Sequence, residues 1–262
     1  MNPVFIGRAG FRGALAVALG LALLASPAVG AAVDPEADEI LKEMSDYLSG
    51  LKAVSVDIEI DNEIVGFAGQ KIQLSSSVSV LLERPGRLRV RSRGGVADVE
   101  FFFDGELLTI HSSSRNFYGS LERPGNIDDV IGTVRSELGL DAPAGDFFFA
   151  DPRTGLLRGV MSGSYLGWGY VDGVRCHHLA FREEHVDWQV WVETGDTPRP
   201  RKYVITSKWV TAAPQYVVRF RNWNSSPEVG AGQFVFEPPE GARKVESIPV
   251  NEAGQILIEE VR

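Results

Sequence analysis

Apolar and polar residues alternate with a period of two along most of this chain, and that pattern commits it to a sheet with one buried face. Val54, Val56, Ile58 and Ile60 alternate with polar residues from Lys52 onward, and Leu88 and Val90 repeat the pattern. The runs Ile72–Glu83, Val96–Phe103 and Leu107–Ile110 continue it between breaks that contain Gly or Pro. After Ser162 it resumes in Tyr165–Val171, Val174–Phe181, Asp187–Val192, Arg201–Val210, Tyr216–Trp223 and Phe234–Phe236. Asp104-Gly105 and Asp172-Gly173 are two-residue hairpin signals. A turn made of Asp104 and Gly105 alone sets Phe101 opposite Leu108 and Val99 opposite Ile110 on one apolar face, with Phe103 at its rim.

Three stretches break the period. Asp34-Pro35 supplies an N-cap and a proline at the first helical position. Ile40, Leu41, Met44, Tyr47, Leu48 and Leu51 then recur at helical spacing up to Gly50 and its neighbour. Asn126–Leu138 reads as a second helix with Ile127, Val130, Ile131, Val134 and Leu138 apolar. Asp151-Pro152 opens a third, shorter one carrying Leu156, Leu157, Val160 and Met161. The order is therefore helix, about five strands, two helices and about six strands. Such an order predicts an α+β, mainly β chain: a long antiparallel sheet of about 11 strands curled round helices.

The first thirty-odd residues carry an export signal. Arg8 and Arg12 are their only charges, an apolar run follows from Ala14 to Ala25, and Pro27 with Ala28, Gly30 and Ala31 completes the series. A membrane-spanning helix needs roughly 20 apolar residues, more than this run provides. Cleavage after Ala31 is expected, and no Cys follows to accept a lipid. Residues 1–31 are thus a signal peptide, 32–240 a single β-rich domain, and 241–262 a charged tail whose run Ile256–Ile258 is a candidate edge strand. The signal holds two of the 26 basic residues and none of the 35 acidic ones, so the exported chain has 24 basic residues and a net charge of −11. An acidic protein repels nucleic acid and anionic headgroups. Arg84, Arg87, Arg89, Arg91 and Arg93 alternate along one strand and read as a solvated face.

Two sets of residues carry a family resemblance. Arg84-Pro85-Gly86-Arg87-Leu88-Arg89, followed by Phe103-Asp104-Gly105-Glu106-Leu107-Leu108, resembles the paired strands of the LolA/LolB lipoprotein-carrier fold, as does a helix before Val54-Ser55-Val56-Asp57. The second half is similar to a bacterial family of predicted periplasmic proteins of unknown function. Its pattern stands here as Cys176-His177-His178-Leu179-Ala180-Phe181-Arg182, Asp187-Trp188-Gln189-Val190-Trp191 and Pro198-Arg199-Pro200-Arg201-Lys202. The resemblance spans residues 34–240. It implies an unclosed half-barrel with helices over its concave apolar face and a periplasmic location; it does not imply the carrier's activity.

No pattern points to catalysis. Cys176, His177, His178 and His185 are the only set that suggests zinc. Neighbours on a strand point to opposite faces, so His177 and His178 cannot serve one site. Cys176 and His178 share a face, but on an extended chain their Cβ atoms stand roughly 7 Å apart, too far for a nucleophile and its base. Ser75-Ser76-Ser77 and Ser112-Ser113-Ser114 lack a nucleophile-elbow setting. Asp128-Asp129 and Glu183-Glu184 suit caps and turns. No metal and no cofactor are therefore expected.

The sequence thus predicts a non-catalytic periplasmic protein that binds a lipid, an acyl chain or an acylated protein on the concave face. The candidate lining is Val99, Phe101, Phe103, Leu108 and Ile110 with Val134, Leu138, Leu157 and Met161. An interaction or sensor module using the sheet as a docking platform is the alternative, and a metal-dependent enzyme the third.

Overall fold

The computed structural model describes residues 33–246, apart from 67, 95–97, 141 and 143. The export signal, Val96 and the run Ile256–Ile258 lie outside the described residues. Helix α1 (Pro35–Gly50) begins as its cap predicts, the Asp34 carboxylate accepting the Glu36 N–H at 2.9 Å. Its buried stripe is Ala37, Ile40, Leu41, Met44 and Leu48. Six strands follow: β1 (Ala53–Val65), β2 (Lys71–Glu83), β3 (Arg87–Arg93), β4 (Val99–Phe103), β5 (Leu107–Ser112) and β6 (Phe117–Glu122). Helices α2 (Ile127–Ser136) and α3 (Pro152–Leu156) flank a 3-10 turn at Gly145–Phe148. The second series is β7 (Ser162–Val171), β8 (Val174–Arg182), β9 (Val186–Glu193), β10 (Pro200–Ser207) and β11 (Gln215–Asn224), and Arg243–Lys244 forms β12.

All twelve strands belong to one sheet, in the order β12-β6-β5-β4-β3-β2-β1-β11-β10-β9-β8-β7. Neighbours are antiparallel except β12 and β6, which run parallel, and the order ends without closing on itself. The two halves join in the middle, where β1 pairs with both β2 and β11.

Four sequence expectations are corrected. Strand β6 was not foreseen, because Tyr118, Gly119 and Ser120 blur its alternation. Phe234–Phe236 is not a strand: Ala231–Phe234 is a 3-10 turn. Its two rings instead anchor the chain on the sheet's convex face, where Phe236 meets Phe102, His111 and Tyr118 at centroid distances of 5.0–5.3 Å. The β4–β5 register is also shifted by two residues: Phe103 faces Leu108, Phe101 faces Ile110, and Val99 faces Ser112. The Asp104 carboxylate accepts the N–H groups of both Glu106 and Leu107, at 3.0 and 2.9 Å, which lengthens the turn. A shift of two preserves faces, so the same apolar residues remain concave. Phe103 is not at a rim but 1 % exposed. That end is closed by the Gly125–Ile127 connection, whose N–H groups bond Gly105 O at 3.0 Å and Pro85 O at 2.9 Å.

The Asp172-Gly173 turn forms as expected, with Val171 opposite Val174 and both turn residues at positive φ, 50° and 78°.

The concave face holds the core. Phe147 is fully buried and meets Tyr203 and Phe220 edge-on at 5.2 Å. Ion pairs hold the covering helices: Arg135 grips both Asp146 oxygens at 2.8 and 2.9 Å, and the Arg153 Nε donates to Asp38 at 2.9 Å. Arg84 donates to the Phe148 carbonyl at 3.0 Å. Phe147→Ala should therefore cost about 3–5 kcal/mol by removing a ring and leaving a cavity. Chemical denaturation checks this; a loss under 1 kcal/mol would mean the cover is not seated as described.

Candidate functional site

Pairing places concave side chains of successive strands in rows, because facing residues on adjacent strands share a face. One row runs Ile60, Val218, Tyr203, Val190 and Leu179 across β1, β11, β10, β9 and β8. All but Ile60 are buried beneath the helices. The next row towards the β1–β2 hairpin tip is Leu74, Asn62, Tyr216, Ile205 and Trp188. Trp188 is buried there, stacked on Phe181 at 4.1 Å, while Leu74, Tyr216 and Ile205 are only half-buried. Beyond them the cross-strand pair Ile64 and Ile72 is 38 and 39 % exposed. The apolar trough thus outruns its helical cover and opens at one end.

The β10–β11 turn borders this opening with Trp209, 74 % exposed, whose indole N–H donates to the Glu184 carbonyl at 2.9 Å. Glu63 ties the tips together: it pairs with Lys71 at 2.9 Å and accepts the Gln215 N–H at 2.8 Å. Those bonds, the lysine's first, hold its carboxyl below the usual range. Ile64, Ile72 and Glu63 carry no signal in the sequence beyond the alternation of β1 and β2, which continues through Ile64 and Ile72.

The sequence-predicted lining lies elsewhere. Val99, Phe103, Leu108 and Ile110 are buried within the core. Phe101, Val134, Leu138 and Leu157 are partly buried and pack against it. Met161 departs from the group at 44 % exposed. Helix α3 stops at Leu156, and the Met161 N–H joins the β8 ladder at the Arg182 carbonyl, so the helical phase that pointed it inward is lost.

A family profile described as predicted periplasmic protein (DUF2092) matches residues 37–248. The chain belongs to the DUF2092 family of predicted periplasmic proteins. It is accordingly periplasmic, and no described helix is long and apolar enough to cross a membrane. Three solved structures resemble it. An uncharacterised conserved protein from Thermus thermophilus is 11 % identical over 80 % of this chain and 99 % of its own, with a TM-score of 0.48. LprF from Mycobacterium bovis is 13 % identical over 80 and 99 %, at 0.47. A LolA superfamily protein from Nitrosomonas europaea is 11 % identical over 76 and 97 %, at 0.36. No curated protein sequence matches. The half-barrel that the LolA/LolB resemblance implies is the fold described above.

In this DUF2092 protein the Cys-His segment falls on β8, split between faces. His177 is concave and meets the Tyr165 hydroxyl at 3.1 Å. His178 is convex, stacked on Trp191 at 4.0 Å and bonded to the Gln189 amide oxygen at 2.9 Å. Burial holds its pKa below the ordinary imidazole value. Cys176 is fully buried, but on the convex side rather than within the concave core, because it stands three residues from Leu179. Among the described residues no three His, Cys, Asp or Glu side chains gather as a metal site would require.

Burial pushes the Cys176 thiol up to about 11 from an ordinary 9.0. The raised folded value means its contribution to stability is complete below pH 9 and is lost as pH climbs towards 11, the unfolded thiol ionising first. Native protein at pH 8 should resist a thiol reagent that labels the denatured chain at once, and Cys176→Ala should flatten the alkaline loss of stability. Equal labelling of both states would contradict the burial.

Proposed function

We propose that this protein binds a hydrophobic ligand, a lipid, an acyl chain or an acylated protein, on the concave face and performs no chemistry on it. The observation that carries this reading is the apolar trough that continues past its helical cover through Ile60, Ile205, Tyr216, Leu74, Ile64 and Ile72. A ligand laid there removes apolar surface from water at roughly 25 cal/mol per Å² without first unfolding anything. Deeper uptake exchanges short helices for ligand. The elements between the two strand series are short, a ten-residue α2, a 3-10 turn and a five-residue α3, and they pack in the same core as Val99, Phe101, Phe103, Leu108 and Ile110. Val134 on α2, with Leu138 and Leu157 just past the ends of α2 and α3, are the residues a ligand would replace or touch.

A second reading is supported by the centre of the trough, which Phe147 and Trp188 fill with their own rings. A face already filled serves as a rigid docking platform for an envelope partner, with no ligand carried.

Titration with fluorescent fatty-acid analogues of several acyl lengths separates the two. The carrier reading expects saturable binding, weakened at least tenfold by Ile205→Asp or Ile72→Asp at the open end. Phe101→Leu should cost only about 1 kcal/mol of stability, as swaps that nearly conserve volume do, while Phe101→Glu should destabilise strongly through an unpaired carboxylate in an apolar site. A flat titration of the wild-type protein at every chain length rejects the carrier reading and leaves the docking platform.

A further inference from the structure

The arginine stripe of β3 does more than face solvent. Arg89, Arg91 and Arg93 project from the convex side and stand opposite Leu81, Ser79 and Ser77 of β2. Those in turn face Ser55, Asp57 and Glu59 of β1. These strands floor a groove of about 420 Å³ whose lining includes the three arginines, Ser77, Ser79, Asp57 and Asn222. That volume lies in the range of small-molecule sites.

The two walls differ in chemistry. On one, Arg89 and Arg91 are both held by a single carboxylate, Glu100, at 3.0 Å each, and Arg89 also lies over the Phe102 ring at 4.7 Å. Arg93 is exposed and has no ion pair among the described residues. The guanidinium fork of arginine matches a carboxylate with two parallel hydrogen bonds. On the other wall, Asp57 accepts from the Ser79 hydroxyl at 3.0 Å and from the Asn222 amide at 2.8 Å. This wall presents a row of hydroxyl, amide and carboxylate groups that can exchange hydrogen bonds with a polyol. Among the described residues no aromatic ring lines the groove.

Magnitude sets the size of the charge it can hold. Arg89 and Arg91 share Glu100, which leaves Arg93 as the one lining guanidinium without an ion pair among the described residues, in a chain whose net charge is −9. A polyanion would meet the repulsion of the whole molecule, whereas one carboxylate finds one unneutralised cation. We infer that this convex groove binds a carboxylate-bearing sugar of one or two residues, with the acid group on Arg93 and Arg91 and the hydroxyls along Ser77, Ser79 and Asp57. The site is on the face opposite the apolar trough and is independent of the function proposed for it.

The test is calorimetric titration of the exported protein with galacturonate and with a disaccharide that carries a single carboxylate, with glucose and acetate as the neutral sugar and the bare carboxylate. Saturable binding of the acid sugars that weakens with salt is expected, with glucose and acetate at least tenfold weaker. Arg93→Gln, exposed and unpaired, should retain the wild-type circular dichroism and lose at least tenfold in affinity. Asp57→Asn should lose affinity for the acid sugars but leave the weak acetate binding unchanged. Ile72→Asp, on the other face, should bind acid sugars normally. No saturable heat with either acid sugar overturns the inference. So does acetate binding as tightly as galacturonate, or affinity unchanged in both Arg93→Gln and Asp57→Asn.

Discussion

The concave face of the sheet must be covered, and the rest of the structure follows from how that is done. Twelve strands in one open sheet expose a continuous apolar surface on the inside. Open sheets beyond about ten strands curl, split or flatten, and this one curls over a cover drawn from two places in the sequence. The cover is α1 at the start of the domain and the α2–α3 segment between the two strand series. Phe147 fills the middle, where its ring meets Tyr203 of β10 and Phe220 of β11 in the second strand series. Because the cover is shorter than the trough, apolar surface is left at one end, and the proposed ligand function rests on that shortfall.

Covering the inside leaves two edges and an outer face, each handled by a local device. The β6 edge is paired by β12, and the stretch before it lays Phe234 and Phe236 on the convex side. That burial explains Phe102 and His111, polar-face positions by alternation that are nonetheless only 7 % exposed. At the other edge β7 carries a register shift between Tyr165 and Trp168, with Gly167 at φ +95°, which bends it away from further pairing. Val33 bridges Gly163 of the same strand, and the Asp34 N–H bonds the Gly163 carbonyl at 2.9 Å. A Cβ at position 163 would stand 2.5 Å from the Phe181 ring, so only glycine admits this approach. The start of α1 is thereby tied to the outermost strand.

The two faces of the sheet have different chemistry for the same reason that they have different partners. Inside, hydrocarbon meets hydrocarbon, and the titratable groups that enter are few: Tyr203 is pushed above its ordinary value by burial. Outside, serines, aspartates and arginines form cross-strand pairs in reach of water. In the Arg89–Glu100–Arg91 arrangement the carboxylate is itself buried, 7 % exposed, and the two guanidinium groups compensate its charge where it lies. His178 on Trp191 beneath Lys202 is a second such outer cluster, the ammonium standing 4.7 Å from the indole.

Much of this was legible in the residues. Period-two runs located eleven strand segments, and ten of them are strands. Asp34 and Asp151 cap the first and third helices as their sequence signals predict, since a cap is a contact within four residues and needs no distant partner, while Asn126, read as the first residue of the second helix, is its cap. Hairpin pairing was sound where both turn residues took positive φ, at Asp172-Gly173, and slipped by two where the Asp104 side chain recruited an extra residue. Membership of the periplasmic family and the half-barrel, both expected from resemblance, hold as well. What only the tertiary structure decided was which apolar positions remain reachable. Val99 and Ile110 alternate just as Ile64 and Ile72 do, yet the first pair is buried and the second is open. The sequence sets which face a side chain points to, because that depends on its own strand. Whether a helix lies over it depends on where a segment far along the chain comes to rest, and no local pattern encodes that distance.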